Sequence, residues 1–316
     1  MTAVAGGPGG KGIGARRSPR TRRALLSDRI ATAVLWGIAI GVVTILVAII
    51  GHFLLATVGT FSFDFLTAAP SITGLGGVGP VLWNSLYILV LTLLLTVPLG
   101  IIGGIYMAEY AGTGKLPSLI RLSQELISSV PSIVVGLFGL ALFVNATHWG
   151  YTALAGALAV TVFNLPLMSR LAEQALRAVP RDERDASLAL GTTKWQTIRH
   201  VVLPLAIPGI VTGIILTSGR IFGEAAALLF TSGVSSPAAY DFSNLNIFDG
   251  RSPWSPFHPA TTLSVYIWNV NSQSLGHFVR QIADSSSAIL IVMVLVFNLG
   301  ARFLARALQR RVTGLR

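Results

Sequence analysis

Inside an otherwise apolar stretch over residues 206–230 stand one arginine and one glutamate, Arg220 and Glu224. Ionised groups in a bilayer core cost roughly 2.5 to 3.5 kcal/mol each on insertion scales, so they face a partner or an aqueous path. Four residues apart on a helix, the two share a face and can pair. Two readings stay open: an ion pair that fixes helix packing, or an anion path. In the second, Arg220 attracts an oxyanion and Glu224 tempers the attraction so that the ion can leave. Arginine suits that task because its planar fork matches phosphate-like oxygens and it keeps its charge. Arg170 and Glu173, at the edge of another apolar stretch, form a second possible pair, either solvated or in the same path.

Other chemistry is thin. The chain has no cysteine, hence no thiolate nucleophile, disulfide or thiolate metal site, and its five histidines are scattered without metal-ligand spacing. The Gly-rich run at 6–12 superficially resembles a phosphate-binding loop, but Ala5 replaces the first glycine and Gly12 the residue after Lys11 that should be Ser or Thr. The expectation is no catalytic residue, no metal and no cofactor in this chain.

The elements that must position these charges follow from composition. The chain is 53% hydrophobic and 11% charged, against about 25% charged in a soluble domain. That is the composition of an all-α integral membrane protein. A net charge of +11 would suit nucleic acid, but the basic residues sit in short loops, which points to membrane lipids and excludes nucleic acid. Residues 1–29 read as a disordered basic tail. Six transmembrane helices are expected at about 30–57, 81–107, 126–144, 151–169, 206–230 and 287–303. Pro131 either kinks the third or starts a helix, and a long polar segment, 231–286, precedes the last. Gly100, Gly103, Gly104, Gly136, Gly139, Gly209 and Gly213 permit close helix approach. All lysines and arginines except Arg220, Arg251 and Arg280 fall in the tail, the 108–125 loop, the 170–199 region or the C-terminal end. The positive-inside rule then places both termini in the cytoplasm.

One segment on that side, 177–208, is legible residue by residue. Pro180 suits a helix start, and Asp182, Glu183 and Asp185 oppose the positive helix end. Gly191 can close that helix in a left-handed cap, and Thr193 with Gln196 makes a capping box for a second helix running towards Pro204. The expectation is a tight helix-turn-helix elbow. Leu188, Leu190 and Trp195 are its apolar members, suited to a groove on a partner or to packing beneath the chain's own helices.

The elbow also carries a recognisable pattern. Importers of the ATP-binding cassette (ABC) class have a cytoplasmic loop reading E-A-A, three residues, G, nine residues, I, any residue, L-P. Here Asp185, Ala186, Ser187, Gly191, Val201, Leu203 and Pro204 keep that spacing, with Asp for Glu, Ser for Ala and Val for Ile. The stretches 84–111, 169–198, 219–231 and 297–308 narrow the match: the chain resembles the PstA-type permease of the phosphate-specific transport system from about residue 80 to 308. The resemblance implies a type I ABC importer permease fold with a coupling helix. It also implies a second phosphate permease as heterodimer partner, a homodimeric ATPase holding ATP and Mg, and an extracytoplasmic phosphate-binding protein. The expected role is inorganic phosphate import across a bacterial inner membrane. The alternatives are a permease for sulfate, molybdate or phosphonate, or a secondary transporter acting alone, for which no inverted repeat is visible.

Overall fold

The computed structural model describes residues 19–59, 62–70, 76–112, 114–235, 240–273 and 279–313. The Gly-rich run at 6–12 and the basic residues Lys11, Arg16 and Arg17 lie outside them. The described residues form helices and connecting segments, with no strand among them. The chain divides into two compact units between His52 and Phe53.

Helix α1, Pro19–Thr57, carries the first apolar stretch. It begins eleven residues before the expected span, so 19–29 are helical and not a disordered tail. At about 1.5 Å per residue its length of 39 residues exceeds what a ~30 Å hydrocarbon layer requires. From Ile30 to Ile49 its large apolar side chains are exposed, as suits a helix whose solvent is lipid.

In the second unit, α2 (Gly79–Tyr110) ends in one wider, π-helical turn, Tyr106–Tyr110. Helix α3, Lys115–Ser129, and α4, Ser132–Asn145, replace the single third span. They meet at 98°. The corner follows from Pro131: a residue before proline is pushed out of the α region, and Val130 sits at φ −66°, ψ 132°. Pro131 therefore starts a helix here. Arg121, Gln124 and Glu125 make α3 amphipathic, which explains why it does not simply continue α4 through apolar surroundings.

Helix α5, Ala153–Arg177, is the centre of the unit and runs eight residues past the expected end of the fourth span. Its inward positions are mostly small: Ala155, Gly156, Ala157, Ala159 and Ala172 are buried. Neighbouring helices meet it through their own glycines. A Cβ added at Gly100 would lie 2.5 Å from Met168, one at Gly104 2.6 Å from Ala172, and one at Gly209 2.6 Å from Ala175. Such contacts replace the hydrophobic effect, which does not drive association in lipid.

After α5 come α6 (Arg181–Ala189) and α7 (Lys194–Gly223). The second helix of the elbow does not end near Pro204 but continues as the fifth span. A π-helical turn at Ile198–Val202 loosens the hydrogen-bond ladder just where the Pro204 ring would clash with the preceding turn. The fifth span also stops earlier than expected, at Gly223, and a separate short helix, α8 (Ala226–Thr231), follows. The long polar segment contains α9, Leu263–Gln273, whose Leu263 and Val265 are buried, so it is not a surface helix. Helix α10, Val279–Thr313, begins eight residues before the expected last span. Among the described residues, five helices are long and apolar enough to cross a membrane, or six if the bent α3–α4 pair counts as one span.

Candidate functional site

The elbow has the geometry its residues dictate. Helix α6 starts after Pro180 with Asp182 and Glu183 in its first turn, and Gly191 follows it at φ +82°, a value other residues adopt only with strain. The Thr193 hydroxyl accepts the Gln196 N–H, and the Gln196 side chain accepts the Thr193 N–H at 2.8 Å, completing the capping box. Ser187 is buried, and its hydroxyl joins those of Thr192 and Thr197 in a triangle with sides of 2.9, 3.0 and 2.9 Å. Ser187 is thus an internal lock, whereas Asp185, Ala186, Leu188 and Trp195 are exposed and Leu190 is 86% exposed. Leu203 and Pro204 are half-buried at the base. The alternative that Leu188 and Leu190 pack under the chain's own helices does not hold.

The elbow is bolted to the bundle by two acids. Glu109, in the π-helical turn of α2, pairs with Arg184 of α6, while its backbone carbonyl accepts from Lys194 of α7. Lys194 also lies 4.8 Å from the centre of the Tyr110 ring. Glu173 is nearly buried and holds two cations: Arg121 of α3 at 3.1 Å and Arg177 at 3.0 Å. Arg177 in turn donates to the Met107 carbonyl at 2.9 Å, so the contacts run unbroken from α3 through the end of α5 to the turn that carries Glu109. Sequence reasoning missed Glu109, Arg121 and Arg184. The available signal was an acid at the edge of an apolar span, which always invites the question of its partner.

Arg170 and Glu173 do not pair with each other. Arg170 turns to Glu125 of α3 at 3.5 Å, and Glu173 prefers the two arginines. A local three-residue spacing is outcompeted by partners that α3 brings in.

Arg220 and Glu224 do not pair either. The spacing argument needed a continuous helix, but Glu224 is the first extended residue after α7, at φ −74°, ψ 113°. It is buried, its side chain accepts the Ala227 N–H at 3.1 Å, and its carbonyl accepts from the Ser264 hydroxyl at 2.7 Å. Glu224 therefore pins α8 and α9 to the end of α7. Arg220 is half-buried, with its guanidinium carbon 3.8 Å from the centre of the Phe163 ring and no carboxylate within 4 Å among the described residues. A cation–π contact recovers roughly 0.5 to 2 kcal/mol and the helix C-terminus about 0.3 to 1. Those gains leave Arg220 as a cation with unused capacity for an anion. No group of side chains able to hold a metal ion occurs among the described residues.

A bundle around a small-residue central helix, with a capped elbow at one end, is the geometry of a transport permease, and the family model for "Binding-protein-dependent transport system inner membrane component" matches residues 100–314. The chain belongs to that family. It is 48% identical over 289 residues to the "Probable ABC transporter permease protein YqgI" of Bacillus subtilis, covering 91% of this chain and 98% of that one. It is 35% identical over 236 residues to the "Phosphate transport system permease protein PstA 1" of Mycobacterium tuberculosis, covering 75% and 73%. Among solved structures, a bacterial ABC transporter involved in the import of the acidic polysaccharide alginate superposes with a TM-score of 0.62 at 16% identity, over 91% of this chain and 99% of that chain. At that identity the likeness concerns the fold, which is the helical permease fold of type I ABC importers. The chain is a multi-pass membrane permease subunit.

Proposed function

We propose that this permease carries inorganic phosphate into the cell as half of a heterodimer with a second permease, driven by a separate homodimeric ATPase and fed by an extracytoplasmic phosphate-binding protein. ATP and Mg belong to the ATPase. The elbow, both termini and the Glu109–Arg184 pair face the cytoplasm, in keeping with the basic loops on that side. Leu188, Leu190 and Trp195 enter a groove on the ATPase, and the charged residues around them set the register.

The observation that carries the reading is Arg220, a cation with no carboxylate within 4 Å among the described residues, at the far end of the helix that begins in the elbow. From Lys194 to Arg220 the helix rises about 39 Å, so the elbow and Arg220 sit at the two ends of one continuous element. Arg220 receives the anion; Glu224 holds the corner beyond it and leaves that charge uncancelled. Arg170 and Glu173 serve the frame around the elbow instead of the anion path. Phosphate is favoured among oxyanions by relatives named as phosphate permeases, and sulfate, molybdate and phosphonate are the competing cargoes. A transporter acting alone would leave the exposed, capped elbow without a purpose.

The test is co-purification from the native membrane followed by reconstitution. Recovery of a second permease and an ATPase, with ATP-dependent uptake of labelled phosphate that excess sulfate does not suppress, supports the reading. Uptake without ATP by this chain alone would overturn it.

A further inference from the structure

Between Tyr240 and Thr262 the chain forms no helix, yet much of its backbone is hydrogen-bonded from within. The Ser243 N–H donates to Asp241, that of Asn246 to Asn244, that of Phe248 to Asn246 and that of Arg251 to Asp249, each at 3.0 Å. The Trp254 N–H donates to the Ser252 hydroxyl and the Phe257 N–H to that of Ser255, both at 3.3 Å. The same device, a side chain accepting the N–H two residues on, thus recurs six times in succession. Carbonyls are met as well: Ser252 donates to that of Asn244 at 2.6 Å and Ser255 to that of Ile247 at 2.7 Å. Turns of this kind are common in loops exposed to water; they also leave fewer bare backbone donors, which lets such a loop approach an apolar medium.

The exposed side chains include Asp241, Ser243, Asn246 and Arg251, and beside them several large apolar ones. Leu245 is 74% exposed and Phe248 77%, with Phe242 and Ile247 beside them. Charge is confined to Asp241, Asp249 and Arg251.

Depth is set by α2. The Trp83 indole donates to the Pro253 carbonyl at 3.0 Å and the Tyr87 hydroxyl to that of Trp254 at 2.7 Å. The span Gly79–Tyr110 has 32 residues, about 48 Å, and overhangs a ~30 Å hydrocarbon layer by roughly 9 Å at each end. Trp83 and Tyr87 lie about 6 and 12 Å along it. The segment is therefore held at the boundary between headgroups and acyl chains, where aromatic side chains collect.

We propose that residues 240–258 form a wedge immersed in the membrane interface at the end of the bundle away from the elbow, with Phe242, Leu245 and Phe248 dipping among phospholipid acyl chains. The partner of this surface is the lipid bilayer. The wedge depends only on α2 crossing the membrane and is independent of the cargo and of the ATPase.

The absence of native cysteine makes the test direct. Leu245→Cys, Phe248→Cys and Gly250→Cys, the last in the charged turn with open space around its Cβ, are each labelled with an environment-sensitive fluorophore in the full-length chain. The protein is reconstituted with its co-purifying subunits in phosphatidylcholine vesicles. Labels at 245 and 248 should emit to the blue of the label at 250, be quenched by lipids carrying a shallow nitroxide, and resist iodide, which should reach 250. Iodide quenching 245 and 248 as readily as 250 would overturn the wedge. So would protection without nitroxide quenching, or protection appearing only when an extracytoplasmic binding protein is added, since either places a protein on the surface.

Discussion

The elbow and the corner at 220–224 both place charge beside apolar surroundings, and they dispose of it in opposite ways. At the elbow, Glu109 takes a cation from α6, and Glu173 takes one from α3 and one from its own helix, so the charges spend their attraction on holding a shape. At the corner, Glu224 turns to a backbone N–H, and Arg220 has the face of Phe163 and no carboxylate within 4 Å among the described residues. Charge that is fully partnered makes a frame; Arg220, with no carboxylate within 4 Å among the described residues, is where the proposed anion would sit, and α7 runs from one to the other.

The comparison breaks most severely where a partnered charge is stripped. Glu109→Gln leaves Arg184 without its carboxylate in a nearly buried setting, which typically costs roughly 3 to 5 kcal/mol. The melting temperature of the purified complex should fall sharply, with ATP hydrolysis losing its dependence on cargo. The exchanged pair, Glu109→Arg with Arg184→Glu, should recover part of both. Failure of the single variant to change either would remove the frame.

Next comes Gly191→Val, which forces a β-branched residue into the left-handed region at a cost of about 1 to 2 kcal/mol. The exposed surface around Leu190 should tilt away from its partner, so co-purification of the ATPase should drop while the permease itself remains folded. An intact, fully coupled complex would remove the elbow's docking role.

The smallest effect concerns a buried group that is neither frame nor site. His258 lies in an enclosure of Tyr87, Tyr240 and Asn84, and burial holds its pKa below the ordinary 6.5. The unfolded chain therefore binds the proton more readily than the folded one. Its contribution to stability is complete above pH 6.5 and declines as the pH falls from there towards the lowered folded value. Asp241 and Asp249 titrate below the ordinary carboxylate range, held there by hydrogen bonds from Ser243 and from the Arg251 N–H, and do not share that window. Melting curves between pH 7 and 5, in which 6.5 marks the onset, should shift downward for the wild type and stay flat for His258→Gln.

What the chain discloses by sequence alone is what its neighbours along the chain decide. Gly191 and the Thr193–Gln196 box were legible because both complete their bonds within a few residues. The glycines that meet α5 were legible because lipid-embedded helices require small contacts. One partner of Glu173, Arg177, stands four residues on along the same helix, but the other was hidden, because Arg121 stands 52 residues away on a helix whose direction depends on the Pro131 corner. The Arg220–Glu224 pair failed for the same reason. The Ser264 hydroxyl, 40 residues on, binds the Glu224 carbonyl and fixes it outside the helix that the spacing assumed. Separations of that kind are set by tertiary packing, which periodicity does not encode.

The most direct measurement is ATP-driven uptake of labelled phosphate by the reconstituted complex carrying Arg220→Ala, with subunit composition checked alongside. Uptake should be abolished while the subunits still co-purify and ATP is still hydrolysed, because an available cation has been removed and the frame left whole. Uptake at the wild-type rate would contradict the division between frame and site.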